Sequence, residues 1–151
     1  MDIQLTAHEI DLTRDILQDY EPAQHALDEL ERHNGDIKNA FQDMWVEKHG
    51  LMAMPKKKSL WEVTLKVLRK ELCGDDGFRG QVSEYTKNPG SAPLLTGLIV
   101  SLVGIAGANG IPIDPVIATV IVLYILKISL NIFCEYTEPP INNSGTLPPE
   151  N

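Results

Sequence analysis

The 151-residue sequence predicts an all-α protein of unlike parts: a small acidic helical head, an amphipathic helical neck, and a hydrophobic helical hairpin near the C-terminus. Three observations lead there. Apolar residues recur at helical steps through the first half of the chain. Long apolar runs are confined to the stretch from Pro93 to Cys134, where Asp114 and Lys127 are the only charged side chains. Charge is also segregated: residues 1–50 hold 12 acids against four bases, whereas residues 51–91 hold eight bases against five acids. An acidic head argues against a nucleic-acid footprint.

In the head (residues 1–50), Ile10, Leu12, Ile16, Leu17 and Tyr20 fall at steps that suit one helix, and Pro22 breaks it and opens the next. Ala23, Ala26, Leu27 and Leu30 lie on one face of the second helix, which should end at Asn34-Gly35 because glycine adopts the left-handed conformation that closes a helix. Asp36 is placed to cap a third helix, with Ile37, Ala40, Phe41 and Met44 at i, i+3, i+4 and i+7 and Trp45 beside them. The stretch from Ala26-Leu27 through His33-Asn34-Gly35-Asp36-Ile37 to Asn39-Ala40-Phe41 resembles the second and third helices of ubiquitin-associated (UBA-like) domains. It is similar above all to those of the nascent-polypeptide-associated complex alpha subunit and elongation factor Ts. The resemblance covers about a third of the chain and implies protein docking through the first loop and third helix, hence Tyr20, Phe41 and Trp45. The loop Asp19-Tyr20-Glu21-Pro22 lacks the Met-Gly-Phe-type turn of ubiquitin binders. Trp45 is the expected exposed contact, while Phe41 and Met44 suit a core.

Residues 51–58 read as a basic linker, where Pro55 stops helical continuation and Lys56, Lys57 and Lys58 repel one another. The neck (59–91) opens on Ser59-Leu60-Trp61-Glu62, a capping-box spacing, and continues as a helix with an apolar face and a basic one made by Lys66, Arg69 and Lys70. Such a helix before a hydrophobic segment suits either an anionic membrane surface or a protein helix, so Lys56, Lys57, Lys58, Lys66, Arg69 and Lys70 form a candidate membrane-surface set. Gly74-Asp75-Asp76-Gly77 ends that helix, and a shorter one around Phe78, Val82 and Tyr85 closes at Asn88-Pro89-Gly90.

The hairpin (92–134) comprises the run Pro93 to Ala108, a turn at Asn109 to Pro115, and the run Val116 to Cys134. At about 1.5 Å per residue each run approaches the roughly 30 Å of a bilayer core, which predicts two short transmembrane spans. Lys127 would then snorkel to the interface. Gly97, Ser101, Gly104 and Ala108 form a seam of small residues for close helix packing, within the hairpin or between copies. Ser59 to Glu138, notably Ile113-Asp114-Pro115, Leu123 to Lys127 and Phe133-Cys134, also looks like small uncharacterised bacterial membrane proteins. The tail (135–151) is proline-rich and polar and is expected to be disordered.

No phosphate loop, nucleophile elbow or metal motif appears, so neither enzyme activity nor a cofactor is expected. His8, His25, His33 and His49 stand at no ligand spacing and read as solvated, and Asp75-Asp76 lacks further oxygen ligands. Cys73 and Cys134 are far apart in unlike surroundings, which predicts no disulfide framework and an unmodified thiol at Cys134 where the second run meets water. The N-terminus lacks the positive start and apolar core of a secretory signal. Head and tail are therefore expected in the cytoplasm, with the hairpin in the membrane. Three functions fit: a membrane-anchored adaptor for a cytoplasmic protein; a membrane-perturbing or pore-forming effector that oligomerises through its hairpin; or a soluble all-helical protein with the hairpin as its core.

Overall fold

A computed structural model describes residues 3–50, 60–74 and 76–136. Among them the protein is all-helical: α1 (Ala7–Ile16), α2 (Glu21–Arg32), α3 (Ile37–His49), α4 (Leu60–Gly74), α5 (Asp76–Lys87), α6 (Ala92–Ala108), α7 (Pro115–Ile128) and α8 (Leu130–Tyr136).

Local chemistry sets the boundaries. Thr6 caps α1 in a capping box with Glu9: the Thr6 hydroxyl accepts from the Glu9 amide, and the Glu9 carboxylate accepts from the Thr6 amide. The other end of α1 is closed from α2, whose Gln24 amide donates to the carbonyls of Arg14 and Leu17. Arg14 adds ion pairs to Asp28 at 3.0 Å and Glu31 at 3.1 Å. Between α2 and α3 the chain turns through Gly35 at φ +85°, where a Cβ would overlap the Leu5 carbonyl. Gly35 thereby lets the N-terminal segment lie against the turn, with the Leu5 amide donating to the Gly35 carbonyl at 2.9 Å. Asp36, Ser91 and Asp114 cap α3, α6 and α7, each accepting from the backbone amide three residues on.

The core is organised around α7. It packs against α2, α3, α6 and α8, and every residue from Ile117 to Ile125 is buried. A helix apolar on all sides must be covered on all sides. From α2, the fully buried Ala23, Ala26, Leu27 and Leu30 belong to this same core. Aromatic edges then run from α3 to α8: Phe41 meets Trp61 at 5.0 Å, Trp61 meets Tyr124 at 4.8 Å, and Tyr124 meets Phe133 at 6.3 Å.

This arrangement overturns the membrane reading, and with it the anchor, the pore-forming effector and the placement of head and tail about a bilayer. No helix of the described residues is long and apolar enough to cross a membrane. The second apolar run is interrupted at Ser129, which turns at φ +82° and leaves α7 with 14 residues, about 21 Å of helix against a hydrocarbon core of about 30 Å. The nonpolar surroundings of α7 are protein, which matches the third reading in making the apolar runs the core. Lys127 does not snorkel toward a lipid interface; its ammonium lies 2.8 Å from the Glu9 carboxylate of α1.

Two further expectations change. Within the chain the small-residue seam is not closely covered: among the described residues a Cβ at Gly97 would meet only the Gln81 side chain, at 3.9 Å, and one at Gly104 would meet nothing within 4 Å. Ser101, Gly104 and Ala108 border an open cleft beside Phe78 and Gln81 of α5. Cys134 is not a free thiol but forms a disulfide with Cys73, 61 residues away, because α8 folds back onto α4 after the Ser129 break. Arg69 does not address a membrane surface, since its Nε donates to the Cys134 carbonyl at 3.1 Å, while Arg79 donates to the Cys73 carbonyl at 2.7 Å. Lys66 and Lys70 are exposed on α4. Ser59 and Lys56, Lys57 and Lys58 lie outside the described residues.

A crosslink over this separation restricts the unfolded chain by about 4 kcal/mol on the chain-entropy account. Cys134→Ser, or reduction of the native chain, is expected to lower the unfolding free energy by about 2–4 kcal/mol in urea titrations. A midpoint that ignores reductant would show that the two sulfurs are not joined.

Candidate functional site

The stripe Glu9, Leu12, Thr13 and Ile16 has the i, i+3, i+4, i+7 spacing of one helix face. Ile10 of α1 and Leu17 just after it sink into the core, while Leu12 on the stripe remains 50% exposed. Across from it stand Leu95 of α6 and Leu123, Leu126 and Lys127 of α7, with Tyr85, Pro89 and Gly90 at the α5–α6 corner. Together these residues line an open, largely aliphatic groove of about 490 Å³, within the range of small-molecule sites. The corner is held by the Gly90 amide, which donates to the Tyr85 hydroxyl at 3.3 Å.

One ion pair spans the groove. The Lys127 ammonium is 2.8 Å from both Glu9 oxygens, and the Thr6 amide donates to the same carboxylate at 2.9 Å. The ammonium, followed by the Thr6 amide, holds the Glu9 carboxyl below its ordinary pKa of 4.5, against the opposing effect of partial burial. On the far side of Leu12 lies a second, polar depression that includes the exposed Asp11 and Asp15 together with His8 and Arg14, whose guanidinium is already paired with Asp28 and Glu31. Leu12 therefore stands between an aliphatic trough and an acidic flank.

Of the candidate site residues taken from sequence, the groove gathers only Lys127. Phe41 and Trp45, expected at a partner, are internal, at 0% and 7% exposure. The reason is that α4 and α7 cover the face of α3 that would have met a partner: Phe41 packs on Trp61, and Trp45 stacks with Phe41 at 6.1 Å and His49 at 4.3 Å. Tyr20 is half-buried just before α2, and burial raises its phenol pKa. Sequence reasoning named Leu12 and the Leu123–Lys127 stretch as helix residues but missed them, with Glu9, as parts of one site. The Thr6-x-x-Glu9 capping spacing was a usable sign for Glu9's position, whereas the meeting of α1 with α7 had no local sign.

Because Glu9's pKa is lower in the folded chain, its pairing contributes stability above its ordinary pKa and loses that contribution as pH falls through the depressed value. Lys127→Met is expected to cost about 0.5 kcal/mol at neutral pH, the scale of a partly exposed pair, and to remove the Glu9 part of the acid-side fall in stability. Urea titrations of both proteins between pH 3 and 7 check this; superimposable pH profiles would contradict it.

Set beside family models, curated proteins and solved structures, the chain matches none of them.

Proposed function

We propose that this chain is a non-enzymatic protein-binding module that receives a basic amphipathic helical segment of another protein along the groove between α1 and the α6–α7 pair. The carrying observation is the half-exposed Leu12, flanked by the aliphatic trough on one side and by Asp11 and Asp15 on the other. An amphipathic helix seated there would place its apolar residues over Leu12, Ile16 and Leu126 and its lysines or arginines toward the α1 acids. The charge within the trough is already neutralised, because Glu9 and Lys127 satisfy each other.

In this proposal the N-terminal third is a UBA-like bundle. Its three short helices and the Gly35-Asp36 turn support that reading. The α6–α7 pair is then a helical hairpin that fills the α3 side of the bundle in cis, so that a partner engages the α1 side instead. The groove's polar groups are few, and the two charged ones are paired, which favours holding a ligand over transforming one.

The test is fluorescence anisotropy of the full chain with a labelled Leu/Lys amphipathic peptide and a Leu/Glu peptide of the same apolar face. The basic peptide is expected to bind, more weakly as salt rises, and Leu12→Lys to weaken it at least tenfold, roughly 1.4 kcal/mol. Since Leu12 is half in solvent, this variant should keep the wild-type melting temperature. Equal binding of the two peptides, or an indifferent Leu12→Lys variant, would sink the proposal.

A further inference from the structure

A different cluster joins α2 to α3. His25 and Glu29 are four residues apart and so share one helical face. Glu47 comes to them from α3, and one ligand atom from each of the three residues lies within 4.8 Å of the others. His25 and Glu47 are exposed and line a cleft of about 300 Å³ between α2, α3 and the start of α7. The rim of that cleft carries the Lys48–Asp114 ion pair at 3.3 Å.

Glu29 is the unusual member. It is only 5% exposed. One of its oxygens, Oε2, is taken by the Arg32 guanidinium. The other, Oε1, is buried with no hydrogen-bond partner among the described residues. Water or a protein donor ordinarily satisfies a carboxylate oxygen removed from solvent. Here that oxygen belongs to a carboxylate grouped with an imidazole and a second carboxylate, both exposed at the protein surface.

We infer that His25, Glu29 and Glu47 form a binding site for a divalent first-row transition ion of the Zn²⁺ class, clamping α2 to α3. Glu29 is the fixed ligand, offering its uncommitted oxygen while Arg32 holds the other, and His25 and Glu47 close on the ion from the cleft. The imidazole selects for zinc-like ions over magnesium or calcium, which favour all-oxygen shells. Ligand atoms about 2.1 Å from a tetrahedral ion stand roughly 3.4 Å apart, so closure asks only for side-chain rotations of His25 and Glu47. Three protein ligands leave a fourth position for water, which the cleft admits.

The site is testable on the full chain after chelator treatment and dialysis, by calorimetric titration with ZnCl₂ and, separately, MgCl₂. Zn²⁺ is expected to bind one ion per chain and raise the melting temperature, with Mg²⁺ doing neither. His25→Ala and Glu47→Ala, both at exposed positions, are expected to weaken Zn²⁺ binding at least tenfold with little change in the melting temperature of the metal-free protein. His8→Ala should bind as wild type. Glu29→Gln keeps the shape of the buried side chain and is expected to lose binding too; should it fail to fold, the two exposed variants decide. Absence of Zn²⁺ binding, or binding that survives His25→Ala or Glu47→Ala unchanged, overturns the inference. Neither outcome bears on the peptide groove, which lies across α1.

Discussion

Nine consecutive residues of α7, Ile117 to Ile125, are buried, and no stripe of that part of the helix is left to water. A helix with one apolar face can be satisfied by one neighbour, but this one needs several. It has them in α2, α3, α6 and α8. At roughly 1.5–3 kcal/mol for each fully buried large aliphatic side chain, the cover of α7 outweighs any single polar contact in the molecule. The features around it read as ways of holding that cover in place. Gly35 lets the N-terminal segment close over the α2–α3 turn. His49 reaches the Pro112 carbonyl and Lys48 reaches Asp114, fixing the end of α3 to the segment that starts α7. The Cys73–Cys134 disulfide pins α8 to α4.

Much of the secondary structure was legible because its determinants are local. Asp36, Gly35 and Pro22 mark ends that depend on the backbone chemistry of a few residues, and the structure places α2 and α3 accordingly. What surrounds an apolar helix is not local. The composition of residues 116–134 states that water must be excluded, and lipid and protein exclude it equally well. Ser129 held the decisive clue, since a break there shortens the helix below a bilayer's thickness. Serine at positive φ has no reliable sequence signature, unlike glycine. The disulfide was hidden for the same reason: only the turn at Ser129 brings Cys134 to Cys73.

The candidate sites show the same division. His25 and Glu29 share a helical spacing that could be read from sequence, but Glu47 joins them only through the packing of α2 on α3. Lys127 was noticed as an anomaly in an apolar run, and the anomaly proved informative although the explanation differs: its partner is Glu9, placed by a capping box at the other end of the chain. The α3 face that sequence assigned to a partner is instead occupied by Trp61 and α7. Covering α7 thus closes that face of α3, while Leu12 of α1 stays open to solvent.

Amide hydrogen exchange of the full chain in detergent-free buffer tests the cover of α7 most directly. Peptides spanning residues 117–125 should be among the slowest to exchange, opening only with global unfolding. Rapid exchange of this segment in buffer, with protection gained only on addition of lipid or detergent, would contradict the account.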